Sequence, residues 1–190
     1  MEEVFKEGLV AIIPKYIEQK GNCTVLYGAK SGPRLLEKSI KTTIRLVGKY
    51  YMIDLSEVKK RYKSIILTSN LMPIPLSKQD ILIPVKTRKP MVKNDGAFGY
   101  VNIRYIKGIK KFAGSTNILL QNGISIECLC NPRTWEKHLR NGRIMSRCYE
   151  ERVMGVAEEQ ERYKACIPAS KADIAMVLRE IKEQYKGQGI

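Results

Sequence analysis

The chain has 190 residues, 44% of them hydrophobic, and its 34 Lys and Arg against 19 Asp and Glu give a formal net charge of +15. This hydrophobic content is typical of a globular protein and excludes a chain that is disordered throughout. No apolar run approaches the roughly 18 residues of a membrane-spanning helix, and the first residues lack the pattern of a secretion signal. The sequence therefore predicts a cytoplasmic protein with no membrane partner.

The positive charge is concentrated in the first part of the chain. Residues 150–190 carry seven basic and eight acidic side chains, whereas residues 78–111 carry nine basic and two acidic ones. We therefore expect a basic body over residues 1–149 and a helical C-terminal segment over residues 150–190 that serves assembly or regulation, with both parts compatible with a single domain. A folded body this basic predicts a polyanionic partner, and nucleic acid is the first candidate.

The first fifty residues predict two strands and a helix. Residues 9–14 are apolar and end at a proline, and residues 22–27 lie between two glycines, which indicates a pair of strands. From Pro33 onwards, apolar residues recur at helical spacing as far as Val47. This spacing predicts a helix that ends or bends at Gly48.

The next stretch is predicted to be irregular. Ser56 precedes the basic residues 57–63, a pattern that predicts one or two helical turns capped by the serine. Three prolines then interrupt short apolar pieces, at Pro73, Pro75 and Pro84. These prolines exclude a long helix and predict edge strands with tight connections.

The following sixty residues predict a loop, a strand, a hairpin and a helix. Residues 86–99 are basic and contain glycine, as expected of a loop, and residues 100–106 alternate like a half-buried strand. The pair Asn122–Gly123 lies between two apolar stretches and indicates a β-hairpin on a type I′ turn, because both residues tolerate positive φ. Asn131 followed by Pro132 is typical of a capped helix start.

A further helix is predicted from Ser170 to a stop at Gly187, with Asp173 at the capping-box position. Taken together, the elements predict an α+β fold: an antiparallel β-sheet with β-hairpins and flanking helices, and a helical C-terminus.

Catalytic and metal-binding patterns are weak. The five cysteines are an odd number in a chain without an export signal, which favours reduced thiols. Cys128 and Cys130 form a C-x-C, but no second Cys or His pair follows at zinc-like spacing, and His138 is the only histidine. Phosphate-loop, dinucleotide and zinc-protease motifs are absent from the sequence. We therefore predict a protein that is not an enzyme, with no cofactor and no metal site.

Eight basic side chains in and after the central loop are the candidate nucleic-acid contacts. They are Lys86, Arg88, Lys89, Lys93, Arg104, Lys107, Lys110 and Lys111. A surface that serves solubility alone usually mixes charges of both signs, so this bias favours contact with a polyanion. Basic side chains on a loop can reach the phosphate backbone or insert into a narrow groove of DNA.

Two further basic clusters are each compatible with phosphate contact and with a simple solvent-exposed face. Residues 59–63 form one cluster, and the second recurs at helical spacing along one face of the helix that starts near Asn131. This second set comprises Arg133, Lys137, Arg140, Arg143 and Arg147. Either cluster could contact phosphates or be a solvated helix face.

Several short motifs, in order and spacing, resemble a known family. They include the apolar run from Gly8 to Pro14, the segment Ile81–Pro84 followed by Thr87–Pro90, and the hairpin with its Trp135 helix. Together they resemble the ComK family of competence transcription factors of Gram-positive bacteria. The hairpin and helix alone are more loosely similar to LytTR-type DNA-binding domains.

The ComK resemblance implies a transcriptional activator that recognises AT-rich double-stranded DNA, largely through the minor groove, as a dimer or tetramer. It also implies a place on the nucleoid, RNA polymerase as a further partner, and Arg88 as the best candidate for groove insertion. In the ComK family a C-terminal segment binds an adaptor that delivers the protein to a Clp-type protease. Here only the sequence around Pro168 resembles that segment, and only loosely. Two alternatives stay open: a basic module that docks on an acidic partner, and an RNA-binding accessory protein.

Overall fold

The computed structural model describes residues 1–66, 71–93, 95–112, 115–166, 175–176 and 178–179, and of residues 111, 112, 115 and 157–166 it describes the backbone alone. The chain divides into two compact units, Met1–Glu150 and Glu151–Ile190. The architecture below is that of the first unit.

Six strands form an antiparallel sheet in the order β3-β2-β1-β6-β5-β4, and three more form a second antiparallel sheet in the order β7-β8-β9. The strands of the first sheet are β1 (Leu9–Ile17), β2 (Gly21–Gly28), β3 (Arg34–Leu36), β4 (Ile74–Pro75), β5 (Ile81–Lys86) and β6 (Phe98–Asn102). Those of the second are β7 (Ile106–Phe112), β8 (Ser115–Leu120) and β9 (Ser125–Cys128). The helices are α1 (Glu2–Glu7), α2 (Ile40–Tyr50), α3 (Leu55–Ile66) and α4 (Pro132–Cys166). The predicted α+β class with antiparallel sheets is confirmed.

The first sheet is buried on both faces. Ile12, Leu26 and Leu82 pack with α1 and α2 on one side. Ile13 and Val101 pack on the other side, in a cluster that contains the second sheet and Trp135 of α4. Strands covered on both faces need apolar side chains at successive positions, which explains the unbroken apolar run at the start of β1.

The predicted helix from Pro33 begins later than expected. Residues 34–36 pair with β2 as the edge strand β3, and α2 starts only after Ser39, whose Oγ accepts a hydrogen bond from the Thr42 N–H at 3.3 Å. A serine that caps the backbone in this way marks the start of a helix. The apolar spacing upstream of it therefore belongs to a strand.

The predicted cap at Ser56 is also corrected. The carboxylate of Asp54 accepts hydrogen bonds from the N–H groups of Ser56 and Glu57, at 2.8 and 3.2 Å. Bonds from the Ser56 side chain and these backbone groups hold the pKa of Asp54 below its ordinary value. A carboxylate at this place also interacts favourably with the positive end of the helix dipole, so Asp54 is the residue that starts α3.

The predicted strand at residues 100–106 is divided between two sheets. Strand β6 ends at Asn102, whose Oδ1 accepts from the Arg104 N–H at 3.1 Å and starts a single 3₁₀ turn over Ile103–Tyr105. The chain then enters β7 of the second sheet. Alternation of polar and apolar residues continues through this change, so the pattern alone does not reveal it.

The predicted hairpin is confirmed, but its turn type is wrong. Leu120 donates to Ile124 at 2.8 Å across a three-residue loop, in which Gly123 has a φ of 81° and Asn122 does not have positive φ. A left-handed glycine at the third loop position is the usual solution for a three-residue hairpin loop. A type I′ turn would need positive φ at both residues.

The predicted helix start at Asn131 is confirmed, because its Oδ1 accepts from the Thr134 N–H at 2.8 Å. The helix is longer than the sequence indicates and continues to Cys166. The helix predicted from Ser170 to Gly187 lies largely outside the described residues.

Helix α4 packs closely on the first sheet at Gly142, so a larger residue there should lower the stability of the protein. A Cβ at Gly142 would lie 2.4 Å from Cγ2 of the buried Ile83. We expect Gly142→Ala to destabilise the protein by about 1–3 kcal/mol through overpacking, although alanine favours helix. At Gly155 no described residue lies within 4 Å of the added Cβ, so Gly155→Ala in the same helix should be neutral or stabilising. Urea unfolding followed by circular dichroism measures both, and equal effects would contradict the packing argument.

Candidate nucleic-acid interface

The eight predicted contact residues do not form one ridge. Arg88 lies against Tyr16, near the end of β1. Arg104 lies two residues after Asn102. The side chain of Asn102 donates to the Leu9 carbonyl at 2.9 Å, which places this part of the chain at the start of β1. Strand β1 rises about 3.3 Å per residue, so the two arginines belong to ends of the sheet roughly 20 Å apart. The predicted residues therefore divide into a loop group and a second-sheet group.

Arg88, the expected groove-inserting residue, is buried. Its side chain is 8% exposed, Nε donates to the Gly96 carbonyl at 2.8 Å, and Nη2 donates to Oδ1 of Asn22 at 2.7 Å. The guanidinium also lies over the Tyr16 ring, 4.1 Å from its centroid, a favourable cation–π geometry. The expectation for Arg88 is corrected: Nε and Nη2 donate inside the protein, where they hold a loop in place, and Nη1 is buried without a partner among the described residues.

The loop that Arg88 holds connects β5 to β6 and is called here the 88–97 loop. Asp95 accepts from the Tyr16 hydroxyl at 2.6 Å and from Nδ2 of Asn22 at 2.8 Å. The Tyr16 hydroxyl also accepts from the Met91 N–H at 2.8 Å. Asn22 thus bridges the Arg88 cation and the Asp95 anion, and two side chains of the β1–β2 hairpin fix both arms of the loop.

The other members of the loop group differ in accessibility. Lys89 and Lys93 are exposed, and Lys86 is half-buried at the end of β5. The Lys86 carbonyl accepts from the Leu129 N–H at 2.7 Å, which ties β5 to the segment after β9. Lys89 and Lys93 are therefore the loop cations that a partner can reach.

Two apolar side chains lie at the tip of the 88–97 loop and were not singled out by the sequence analysis. Met91 is 76% exposed and Val92 is 64% exposed. In the sequence the only signal is an apolar pair inside a basic stretch. The structure adds that the pair faces solvent.

The second-sheet group lies along an edge strand. Lys107 and Lys110 are exposed on β7, which pairs only with β8, and the side chain of Lys111 lies outside the described part. Lys110 pairs with Asn117, and Asn117 pairs in turn with Glu127. An acidic side chain on the same face weakens the positive field of this group. Lysines on an edge strand also serve to prevent edge-to-edge pairing.

Helix α4 carries five accessible cations on one face. Its five basic residues occur at spacings of three or four and all are exposed; they are Arg133, Lys137, Arg140, Arg143 and Arg147. The buried residues Trp135, His138 and Met145 lie at intervening positions, so the cations occupy the outer face. We call these five residues the α4 basic face. Glu136 is the only acidic residue between positions 132 and 148.

None of the five cations of the α4 basic face is in an ion pair with a described residue. The three ion pairs within the described ranges use Lys20, Arg34 and Lys60 instead. The other basic cluster, residues 59–63 of α3, lies beside α4, because Tyr62 of α3 packs with Met145. Unpaired cations on a regular helix are available to an external anion without the loss of an internal partner.

A thiol pair lies between the 88–97 loop and α4. Cys128 is buried in the core cluster and Cys130 packs against it. Interaction with the Cys128 thiol, aided by the backbone and charge of Lys86, lowers the pKa of Cys130 to about 6 despite partial burial. The same interaction, together with burial, raises the pKa of Cys128. Of the two thiols, Cys130 is therefore the one that ionises more readily.

Two other kinds of site are absent from the described ranges. These ranges contain no group of three or more His, Cys, Asp and Glu side chains that could hold a metal ion. No helix in them combines the length and apolar character needed to cross a membrane.

Comparison with known proteins gave no match. No family model, no curated protein and no solved structure matches this chain.

The anchoring role of Arg88 predicts a loss of stability. Arg88→Met would leave the Gly96 carbonyl and the Asn22 side chain without their donor, and we expect it to lower the free energy of unfolding by about 2 kcal/mol. Lys89→Met, the adjacent and exposed control, should change it by less than about 0.5 kcal/mol. Urea unfolding curves compare the two, and similar stability in both variants would contradict the anchor.

The low pKa of Cys130 predicts its reactivity. Its alkylation by iodoacetamide should rise with pH through a midpoint near 6, because only the thiolate reacts. In Cys128→Ala the midpoint should move upward, since the largest cause of the shift is removed. Peptide mass spectrometry after timed labelling measures both, and the same midpoint in both proteins would show that Cys128 is not the cause.

Proposed function

We propose that this protein binds double-stranded DNA, with the α4 basic face as its main contact to the phosphate backbone. The observation that carries the proposal is the array of five exposed cations on one face of a regular helix, none of them in an ion pair with a described residue. The charge of the whole chain supports it, because a +15 body needs a polyanion to relieve its self-repulsion.

The dimensions of the α4 basic face agree with this partner. From Arg133 to Arg147 the helix rises about 21 Å at 1.5 Å per residue. This length exceeds the widths of the DNA grooves, about 12 and 6 Å, so the face is long enough to contact phosphates on both sides of a groove. Arginine predominates in the set, and its planar fork suits bidentate contact with phosphate oxygens.

The resemblance to the ComK family adds a finer role to the proposal. In that role the protein is a transcriptional activator at AT-rich sites, acts as a dimer or tetramer, and functions on the nucleoid together with RNA polymerase. The phosphate contacts of α4 would give affinity and register, whereas the choice of sequence would depend on a second element that reaches the bases.

Removal of charge from the α4 basic face provides the test. We expect wild-type protein to bind AT-rich duplex DNA with a log–log salt slope to which the five contacts of the α4 basic face alone contribute about −4.5. The triple variant Arg140→Gln/Arg143→Gln/Arg147→Gln should reduce the steepness of the slope by about 3 and weaken binding about tenfold or more at 0.1 M salt. Fluorescence anisotropy over a salt series measures both quantities.

The matched control removes the same charge elsewhere. Lys6, Lys38 and Lys49 are exposed, and the variant Lys6→Gln/Lys38→Gln/Lys49→Gln should keep nearly the wild-type slope. Equal losses in the two triple variants would mean that net charge alone drives binding and would contradict a defined face. A structured RNA or an acidic protein that binds more tightly than duplex DNA would favour the alternative partners.

A further inference from the structure

The 88–97 loop exposes an apolar tip that nothing in the fold covers among the described residues. Met91 and Val92 are 76% and 64% exposed, and Pro90 before them is exposed as well. Exposed apolar side chains are common singly, but a contiguous group on a projecting loop marks an interaction site more often than scattered ones do.

The tip is held in a defined position by its base. Below it, Arg88 binds Gly96 and Asn22, and Asp95 binds Tyr16 and Asn22. The tip itself is fixed by the bond from the Met91 N–H to the Tyr16 hydroxyl. The pyrrolidine ring of Pro90 further restricts the backbone. A tip ordered before binding loses less conformational entropy when it inserts into a partner.

Cations flank the apolar tip on both sides. Lys89 precedes it and Lys93 follows it, and both are exposed. Neither is in an ion pair within the part of the chain that the structure describes. In a DNA groove the bases lie between two phosphate backbones. An apolar tip between two lysines is complementary to this arrangement, because the tip can face the bases and the lysines can face the phosphates.

We infer that Pro90, Met91 and Val92 form a wedge that inserts into the minor groove of DNA and partly unstacks one base step, while Lys89 and Lys93 contact the flanking phosphates. The inference rests on the proposed function. Apolar wedges of Met, Pro or aliphatic side chains are a general means by which proteins kink DNA from the minor groove. Arg88 then acts as a positioning residue for the wedge.

A lipid surface is the competing partner for an apolar tip with flanking lysines. Binding to a bilayer scales with the buried apolar area, and the tip offers only three small or medium side chains. A base step needs only one or two inserted side chains to unstack. The α4 basic face, whose five cations are in no ion pair with a described residue, also suits a partner that carries many phosphates. The geometry therefore favours DNA.

The test separates insertion from binding. Two duplexes each carry 2-aminopurine at one central step and a donor–acceptor dye pair at their ends. In the first the central step is TA, which unstacks readily; in the second all pairs other than that of 2-aminopurine are GC. Wild-type protein should raise 2-aminopurine fluorescence and shorten the end-to-end distance, more strongly on the TA duplex. Met91→Ala/Val92→Ala should abolish both signals and weaken binding about tenfold, while the salt slope stays unchanged, because the phosphate contacts remain.

The control variant removes exposed apolar side chains away from the loop. Met52 is 93% exposed and Leu35 is 40% exposed, and Met52→Ala/Leu35→Ala should behave as wild type in both assays. Full unstacking and bending by Met91→Ala/Val92→Ala, or binding of wild type without unstacking, would overturn the wedge and leave the proposed function intact. No binding of wild type to either duplex would overturn both. Stronger binding to phosphatidylserine vesicles than to DNA, dependent on Met91 and Val92, would also overturn the wedge.

Discussion

Burial of the first sheet on both faces is the constraint that organises this protein. One face packs with α1 and α2, and the other packs with the second sheet and with Trp135 of α4. No charged side chain occupies a buried position of these strands, because an unpaired charge between apolar layers is costly. The cations are therefore displaced to the outer face of α4, to the 88–97 loop and to the edge strand β7.

One charged side chain near the loop, that of Arg88, is nevertheless buried. Arg88 is tolerated because a carbonyl, an amide oxygen and an aromatic ring receive its guanidinium, and because Asn22 connects it to the Asp95 carboxylate. The network fixes the loop through two side chains of a hairpin far away in sequence. Arg88, which the sequence indicated as a DNA contact, therefore holds the loop that carries the proposed wedge. In that proposal the apolar tip contacts the bases.

The proposed function and the proposed wedge assign phosphate contact and base contact to different elements. The α4 basic face is regular, exposed and free of ion pairs with described residues, properties that suit affinity and orientation. The loop tip is small and fixed, properties that suit insertion into a groove. Such a division is general in DNA recognition, since phosphates carry no sequence information directly.

The sequence by itself determined the fold class, the first strand pair, the existence of the Asn122–Gly123 hairpin and the Asn131 cap, because each depends on local preferences or on short-range periodicity. It also revealed the excess of positive charge in residues 1–149. Only the tertiary structure decided which cations are accessible. Arg88 and Lys89 are adjacent and chemically similar, yet one is buried by Tyr16 and Asn22, about seventy residues away in the chain, and the other faces solvent. Contacts at that sequence separation leave no periodic signal around either residue.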